Sequence, residues 1–276
     1  MIRTIARACY RHLLPSGAKN SLKAALLLEE IDHPIEAITA FPQTSVLVLA
    51  PHMDDETIGC GGSMMLHAEG GARVTVCYTT DGRRGDPSLY RSTADVRAIA
   101  AGEERIRRVR RREAEAACAV LGAAHIEWLD GPDGGLEPTP ALVEGLSGVM
   151  NRQRPQVVYL PSPLDEHRDH WGTNRLLVAA WRAGAHRPDL VRGYEVWSPL
   201  VANRVIDVTA NYARKREAMA CFPSQLLTTD YARAMEGLDQ YRAVHRFGGT
   251  GYAEAFWEAT PEVYAELCAR LEVTRR

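Results

Sequence analysis

The stretch that decides the fold is SVLVLAPHMDDETIGCGG, residues 45–62. After Ser45 comes an uninterrupted apolar run, Val46 to Ala50, which is typical of a strand buried on both faces of a parallel sheet. The run stops at Pro51, and a histidine, three consecutive acids and a glycine cluster follow. We therefore predict a buried strand over 45–50, then a polar turn, and then a helix. The charges that directly follow this strand raise the question of whether they form a site or only a turn.

The alternation of apolar strands and amphipathic segments continues outward from this stretch. Further strands are predicted at 73–81, 125–130, 156–161, 194–199 and 203–209, and helices at 57–71, 103–123, 140–152, 173–184, 210–221, 227–243 and 260–272. This order predicts an α/β fold, namely a three-layer Rossmann-like domain with a mainly parallel sheet and helices on both faces. Residues 82–104 are predicted to form a long loop over the strand ends.

Length and composition are ordinary for a soluble globular protein with either one large domain or two small ones. The chain has 276 residues and a net charge of −2, which gives no argument for a nucleic-acid partner. Its 6 cysteines form no CxxC pair, so we predict reduced thiols and a cytoplasmic protein. We find neither an internal repeat nor a long linker, and we assign residues 1–40 to an N-terminal helical extension and residues 41–276 to a single α/β domain.

The N-terminal extension has a basic face. Arg3, Arg7 and Arg11 recur at helical spacing, with apolar residues away from them. A helix over residues 1–15 could therefore make a peripheral contact with an anionic membrane. The alternative is that the same helix packs against the domain.

The first polar turn, PHMDDE, contains candidate metal ligands. His52 and Asp55 are three residues apart at a strand end, so an imidazole nitrogen and a carboxylate can converge on one cation. Asp54 lies between them. The alternative is that the acids only cap the following helix. A dinucleotide-binding loop is disfavoured, because the GxGxxG spacing is absent and the acids would repel a pyrophosphate.

A second polar cluster follows the predicted strand at 156–161. It contains Asp165, Glu166, His167, Asp169 and His170. In doubly wound sheets, ligands bind beyond the carboxyl ends of strands at the switch in strand order. A histidine and an aspartate from the first turn, with one histidine from the second, would make a three-ligand site with open positions, as catalytic zinc requires.

These two motifs, PHMDDE and HRDH, resemble the paired motifs of the LmbE-like/PIG-L family of zinc-dependent N-acetylglucosaminyl deacetylases. Met53 stands where that family usually has proline. Supporting similarities are YTTDGRRGD, RRREAEAACAVLG, WLDGPDGGL, YEVWSPL, VIDVT and KREAMACFPSQ, so the resemblance covers residues 44–226.

The resemblance implies a role for each polar residue of the two motifs. His52, Asp55 and His170 would bind Zn²⁺, although Fe²⁺ or Co²⁺ could occupy the same ligands. Asp54 would be the general base that deprotonates a water molecule. His167 would donate a proton or hydrogen bond to the reacting group, and Asp169 would orient His167.

Other polar residues have weaker assignments. Arg83 and Arg84 are candidates for binding substrate hydroxyls or a phosphate, and Asp133 for binding sugar hydroxyls; solvated loop charges and a plain turn are the alternatives. Glu56 is interpreted as support for the site. Arg110 and Glu113 are interpreted as a surface or inter-helix pair. Lys215, Ser224 and Gln225 match a family pattern whose role the sequence does not explain.

The favoured function is therefore removal of an N-acetyl group from an N-acetylglucosamine-type sugar. The sugar could be a small molecule or lipid-linked: part of a glycolipid, a nucleotide sugar or a secondary metabolite. One alternative is a non-haem Fe(II) enzyme, because two histidines and one carboxylate also describe that site. The other is a non-catalytic sugar-binding homologue, against which Asp54 argues, because a pure binding site needs no base.

Overall fold

The computed structural model describes residues 35–90, 95–244 and 247–275. The strands are β1 (Glu36–Ala37), β2 (Ser45–Ala50), β3 (Arg73–Thr80), β4 (His125–Gly131), β5 (Val157–Pro161), β6 (Leu190–Tyr194), β7 (Arg204–Asp207) and β8 (Ala253–Ala259). The α-helices are α1 (Asp55–Glu69), α2 (Val96–Leu121), α3 (Pro140–Gln153), α4 (Arg168–Arg182), α5 (Tyr212–Ala220), α6 (Pro223–Leu226), α7 (Tyr231–Ala243) and α8 (Pro261–Arg275). Two 3₁₀ turns span Pro87–Tyr90 and Thr209–Asn211.

The strands form a single mixed sheet in the order β1-β7-β8-β6-β5-β2-β3-β4. Strands β4, β3, β2, β5 and β6 pair in parallel, whereas β8 pairs antiparallel with both β6 and β7. The chain moves from β2 to β3 on one side and returns to β5 on the other side. The carboxyl ends of β2 and β5 therefore flank a switch in strand order, where ligands bind in open α/β sheets.

Two hydrophobic clusters form the core, and β2 shows why there are two. Val46, Val48 and Ala50 pack in one cluster, while the alternating Leu47 and Leu49 pack in the other. A strand with apolar side chains on both faces needs cover on both faces. Helices α3, α4 and α8 contribute to the cluster of the leucines, and α1, α2, α5 and α7 contribute to the other cluster.

Helix α1 approaches the sheet unusually closely because of its glycines. A Cβ atom on Gly59 would lie 2.1 Å from Cδ2 of Tyr194, and one on Gly62 would lie 2.5 Å from Cγ1 of Val208. The interpretation of these glycines as packing residues, rather than a phosphate loop, agrees with this geometry. The helix also has a kink at Cys60, whose φ/ψ of −152°/21° is non-helical.

Most predicted elements are present, but two expectations were wrong and some elements were missed. The strand predicted at 194–199 ends at Tyr194, because the backbone N–H groups of Trp197 and Ser198 donate to the Asp165 carboxylate instead of a neighbouring strand. The loop predicted over 82–104 contains a 3₁₀ turn and the first residues of α2. Strands β1 and β8 and the short helix α6 were not predicted.

The predicted N-terminal extension lies almost entirely outside the described residues. Its membrane-contacting segment, residues 1–15, lies wholly outside them. Within residues 36–37 the chain forms β1, which pairs in parallel with β7 at the sheet edge. None of the described helices combines the length and apolar character that crossing a bilayer requires.

Candidate active site

The two polar loops predicted from the sequence meet at the carboxyl ends of β2 and β5. Val48 of β2 is paired with Tyr159 of β5, and each strand leads directly into one of the loops. The first loop carries His52 to Asp55, and the second carries Asp165 to His170, the start of α4. The two loops therefore lie close together because their strands are paired, and neither loop has to extend far from its strand.

Two of the three predicted metal ligands, His52 and His170, approach the same carboxylate oxygen of the third, Asp55. Oδ2 of Asp55 lies 3.2 Å from Nδ1 of His52 and 3.3 Å from Nε2 of His170. Neither ring nitrogen of the buried His170 makes a hydrogen bond of acceptable geometry. A buried imidazole nitrogen without such a partner, beside a carboxylate and a second imidazole, fits a bound divalent cation. Two groups of ligand-type atoms lie close enough together to hold one ion, namely His52, His167 and His170, and His52, Asp133 and Asp169; Asp55 contacts both His52 and His170 of the first group.

A second carboxylate stands behind each histidine of this cluster. Oδ1 of Asp165 lies 3.0 Å from Nδ1 of His170, and Oδ2 of Asp169 lies 3.2 Å from Nε2 of His52. Metal-ligating histidines ordinarily direct their other ring nitrogen to such a carboxylate, which fixes the tautomer and the ring orientation. Asp165 belongs to the second predicted cluster, but no role was predicted for it.

Because these groups are buried close together, the charge of each one strongly affects the pKa of the others. Burial lowers the pKa of His170, but the carboxylates around it more than offset this and raise its pKa to about 9. Burial likewise lowers the pKa of His52, but the neighbouring carboxylates outweigh it and raise this pKa well above the ordinary value. Burial opposes ionisation of Asp55, yet the two imidazoles lower its pKa well below its usual range. The site is thus built to hold positive charge among carboxylates.

Asp54 has a strained backbone and a buried, restrained carboxylate. Its φ of 140° is rare for a residue with a side chain and costs roughly 1–3 kcal/mol. Nη2 of Arg110 donates to the Met53 carbonyl oxygen at 2.9 Å and to Oδ1 of Asp54 at 3.2 Å. Burial raises the pKa of Asp54 to about 6, although Arg110 opposes the rise. A carboxylate with this pKa is a better proton acceptor than an exposed aspartate.

Arg110 and Glu113, which were interpreted as a surface or inter-helix pair, are both buried and bind different partners. Arg110 is buried and contacts Asp54, and the Glu113 carboxylate accepts hydrogen bonds from the backbone N–H and hydroxyl of Ser224, at 2.9 and 2.6 Å. Their spacing on α2 is typical of an exposed ion pair. Only the packing of α2 over the first loop turns this face inward, and spacing within one helix does not reveal such packing.

Glu56 lies beneath the first loop and is fully buried. Its carboxylate accepts hydrogen bonds from the Thr57 hydroxyl at 2.7 Å and from the Asp54 backbone N–H at 3.3 Å. Burial raises the pKa of Glu56 to about 7. The contact with the Asp54 backbone agrees with its interpretation as support for the site.

His167 and Asp169 do not contact each other in the predicted way. The Asp169 carboxylate accepts hydrogen bonds from the backbone N–H groups of Gly134 and Leu136, at 2.6 and 2.9 Å, and approaches His52 rather than the His167 ring. Nδ1 of His167 instead accepts a hydrogen bond from the Asp169 backbone N–H at 3.2 Å. Burial and the two neighbouring histidines lower the pKa of His167. Because Nδ1 accepts this hydrogen bond, the neutral imidazole of His167 has its proton on Nε2.

The cluster opens into a cavity of about 270 Å³. The cavity is lined by His52, Asp54, Asp55, Arg84, Gly85, Arg110, Asp133, Gly134, His167, Trp197 and Gln225. Of the predicted substrate-binding residues, Asp133 lies deepest, with Oδ1 3.4 Å from Nε2 of His52 and Oδ2 accepting from the Arg84 backbone N–H at 2.7 Å. Arg83 faces a neighbouring cavity and pairs with Asp81.

The family pattern around Lys215, Ser224 and Gln225 serves two purposes. Gln225 lines the cavity and donates to the Gly85 carbonyl at 3.2 Å, while Ser224 binds Glu113. Lys215 lies away from the cavity lining, where its Nζ donates to Asp239 at 2.8 Å and to Glu254 at 2.7 Å. Trp197, which lies in the supporting motif YEVWSPL, was not predicted to be a wall of the cavity.

Comparison with known proteins identifies the segment that contains both loops. The family model described as PIG-L, GlcNAc-PI de-N-acetylase, matches residues 47–181. These residues form a PIG-L family domain. The resemblance expected from the two motifs is thereby confirmed, and it includes every predicted metal ligand.

Three relatives show how far the similarity extends. The 1D-myo-inositol 2-acetamido-2-deoxy-alpha-D-glucopyranoside deacetylase of Geodermatophilus obscurus is 33% identical over 181 residues, which are 56% of this chain and 60% of that enzyme. The 4-oxalmesaconate hydratase of Pseudomonas putida is 25% identical over 250 residues, or 82% of this chain and 93% of that enzyme. The N,N'-diacetylchitobiose deacetylase structure from Pyrococcus horikoshii shares the fold, with a TM-score of 0.67, 21% identity, and coverage of 91% and 95% of the two chains.

Proposed function

We propose that this PIG-L protein is a metal-dependent hydrolase that removes the N-acetyl group from an N-acetylglucosamine-type sugar. The observation that supports this proposal best is the convergence of His52 and His170 on Asp55, directly beside the restrained carboxylate of Asp54. Binding alone does not require a proton acceptor next to the metal ligands. Hydrolysis of an amide does require one.

The proposed ligands are His52, Asp55 and His170, and the proposed ion is Zn²⁺. Mixed imidazole and carboxylate ligands suit zinc, and three protein ligands leave a position for water and substrate. A bound zinc ion would acidify a water molecule and polarise the acetamide carbonyl. Fe²⁺ or Co²⁺ could occupy the same ligands, so the identity of the ion is part of the test.

Asp54 is the proposed general base. Arg110 holds both the Met53 carbonyl and the Asp54 carboxylate, so the carboxylate keeps one orientation beside the cluster. In that position Asp54 would accept the proton of the attacking water. The strained backbone at Asp54 is consistent with such a role, since strain is often found where a side chain must be held in a functional orientation.

His167 is the proposed donor to the reacting group. Its Nδ1 accepts a backbone hydrogen bond, which leaves the protonated Nε2 to donate toward the cavity that the residue lines. A neutral N–H can stabilise the negative oxygen of the tetrahedral intermediate by hydrogen bonding, or assist departure of the amine. Asp169 would then orient His52 rather than His167, a change from the role predicted by the sequence.

The proposed substrate is a neutral sugar carried by a small molecule, a lipid, a nucleotide or a secondary metabolite. The cavity is lined almost entirely by polar side chains and glycine backbone. Asp133 can accept hydrogen bonds from sugar hydroxyls, and Arg84 can donate to them. Arg83 would contribute only to a substrate long enough to extend into the neighbouring cavity.

Several broader expectations also remain proposals. We propose a three-layer Rossmann-like arrangement for the mixed sheet and its helices, with residues 41–276 as one domain and residues 1–40 as an extension. We also propose a cytoplasmic location without a nucleic-acid partner. We further propose peripheral membrane contact through residues 1–15.

The decisive experiment combines metal analysis with acetate release from a panel of N-acetylglucosamine conjugates. We expect about one equivalent of zinc per chain and measurable acetate. His170→Ala should lose both, whereas His125→Ala, which changes an exposed histidine on β4, should lose neither. Absence of any bound metal after reconstitution would overturn the proposal. Metal binding without acetate release from any conjugate would overturn the deacetylase assignment.

A second candidate function is addition of water to an unsaturated carboxylate. The observation that favours it is the match to the hydratase of Pseudomonas putida, which extends over 93% of that enzyme. The cavity argues for the sugar, because five aspartate or histidine residues line it and one of its two arginines is committed to Asp54. An unsaturated dicarboxylate in the same assay panel separates the two, since hydration consumes the double bond and releases no acetate.

A further inference from the structure

Trp197 is an exposed aromatic residue in a wall that is otherwise polar. Its side chain is 56% exposed, although it lines the same cavity as Asp54 and His167. A large indole that remains this exposed loses much of the stabilisation that burial would give it. Packing within the chain therefore does not explain its position.

The backbone of Trp197 is fixed relative to the proposed metal ligands. Oδ2 of Asp165 accepts hydrogen bonds from the backbone N–H groups of Trp197 at 2.9 Å and Ser198 at 3.2 Å. Oδ1 of the same carboxylate lies 3.0 Å from Nδ1 of His170. The exposed indole is thus tied through one side chain to a histidine of the cluster, so its exposure does not result from a loosely held loop.

The far end of the same loop is also anchored. Glu195 is buried, forms an ion pair with Arg242 and accepts the backbone N–H of Leu200 at 2.7 Å. Arg242 also donates to the Leu200 carbonyl at 2.9 Å. These contacts hold the segment around Trp197 on both sides. A rigid aromatic side chain binds ligand at low cost in conformational entropy.

Depth within the cavity indicates which part of a substrate would meet the indole. Asp54 and Asp55 are 9% and 2% exposed, in contrast to Trp197. The acetamido group must reach the buried cluster, so the ring that carries it occupies the deep part of the cavity. The group attached to that ring then lies at the mouth, beside the indole.

We propose that Trp197 binds a second sugar ring, the one linked to the ring that is deacetylated, by stacking against its C–H face. A pyranose offers one flat C–H face and a rim of hydroxyl groups, which matches one aromatic side chain among polar neighbours. An acyl chain would need apolar walls, and Trp197 is the one large apolar side chain lining this cavity among the described residues. This inference rests on the proposed deacetylase function.

The test compares N,N'-diacetylchitobiose with N-acetylglucosamine as substrates of the zinc-loaded protein. For Trp197→Ala, the ratio of kcat/KM for the disaccharide to that for the monosaccharide should fall roughly 5- to 10-fold, mainly through KM of the disaccharide. Trp197→Phe should recover much of the ratio, since a phenyl ring keeps a stacking face. Val96→Ala is the control, because Val96 is an exposed apolar side chain (79%) that is not part of the cavity lining, and it should leave the ratio unchanged.

Disaccharide binding, measured by calorimetry with the Asp54→Asn protein, separates this inference from the proposed function. If the wild-type protein deacetylates both sugars but Trp197→Ala leaves the ratio unchanged, the inference is wrong and the proposed function stands. If neither sugar releases acetate yet the disaccharide binds more weakly to Trp197→Ala/Asp54→Asn than to Asp54→Asn, the aromatic subsite stands without the deacetylase assignment. Equal disaccharide binding by these two proteins overturns the inference.

Discussion

Helix α1 contacts two groups of buried charges that differ in how the charges are satisfied. The site cluster consists of His52, Asp54, Asp55, Asp165, Asp169 and His170. The lysine cluster consists of Lys215, Asp239 and Glu254. Both are buried, and both combine carboxylates with positive or protonatable groups.

The lysine cluster has good hydrogen bonds for each of its charges. Lys215 donates to both carboxylates, and the Glu254 carboxylate also accepts the backbone N–H groups of Gly62 and Ser63, each at 2.8 Å. These two N–H groups follow the kink of α1 at Cys60 and are left free by it. Glu254 therefore caps the second half of the helix, which explains a buried ion pair without any reaction.

The site cluster lacks this completeness. His170 has ring nitrogens without a hydrogen bond of acceptable geometry, and the backbone at Asp54 is strained. The cluster also borders a cavity, whereas no member of the lysine cluster lines that cavity. Burial of charge alone is thus a poor sign of function, and incomplete satisfaction next to open space is a better one.

Replacing the proposed base should have the largest effect on activity. We expect Asp54→Asn to lower kcat about 100- to 10,000-fold, because an amide cannot accept the proton of the attacking water. Metal content should be retained, since the proposed ligands are unchanged. Steady-state acetate release with metal analysis measures both quantities, and Glu115→Gln, at an exposed position of α2, serves as control. A variant with near wild-type kcat would remove Asp54 from the mechanism.

Replacing Lys215 should produce the largest loss of stability. Lys215→Met leaves Asp239 and Glu254 buried without their cation and should lower the free energy of unfolding by about 3–5 kcal/mol. Arg214→Met, which removes the neighbouring half-exposed arginine paired with Glu69, should change it by less than about 1 kcal/mol. Chemical denaturation measures both.

The pH dependence of the Lys215→Met effect gives a further check. Burial already raises the pKa of Asp239 to about 7 in the intact cluster. Without Lys215 this carboxyl should take up a proton more readily, so the destabilisation should be smaller at pH 5 than at pH 8. If Lys215→Met instead abolishes metal binding in protein that remains folded, the distinction between a structural and a functional cluster is wrong.

The carboxylate behind His170 should have an intermediate effect. Asp165→Asn should weaken metal affinity about 10- to 100-fold, because the amide cannot polarise and orient the imidazole as the carboxylate does. Glu166→Gln, at the exposed neighbouring position, should keep wild-type affinity. Competition with a chelator measures the affinity of both variants. Equal affinities would show that the Asp165–His170 contact makes no contribution to metal binding.

The same contrast explains what could be predicted from the sequence. Strand β2 and both polar loops were predictable because their signals are local: an apolar run followed directly by charges. The meeting of the loops followed from a general rule about strand order. Strand β8 was missed because Glu254 interrupts its apolar pattern, and only the partner Lys215, far away in sequence, makes a buried glutamate acceptable.

The parts of the site that were not predicted are contributed by packing between distant segments. Arg110 approaches Asp54 because α2 packs over the first loop, and Trp197 lines the cavity because Asp165 binds its backbone. Asp169 approaches His52 although the sequence places it two residues from His167. Proximity along the chain suggested the wrong partner in this case. The Asp169 carboxylate points toward the loop after β2, which carries His52, rather than along its own helix.

His67, near the carboxyl end of α1, provides the smallest test, since it is a buried ionisable group that carries no charge. Nε2 of His67 lies 2.9 Å from the Tyr159 hydroxyl, and burial, with a contribution from Arg192, lowers its pKa to about 3. The unfolded chain takes up this proton below a pH of about 6.5, whereas the folded chain does so only near pH 3. Stability from this group is therefore complete above pH 6.5 and is lost as the pH falls, by at most about 1.4 kcal/mol per pH unit. We expect the unfolding free energy of His67→Gln to fall less steeply with acid than that of the wild type between pH 6.5 and 5. Parallel profiles would mean that the folded protein protonates His67 as readily as the unfolded chain does. Helix α1 would then bury a charged imidazole in addition to the two clusters.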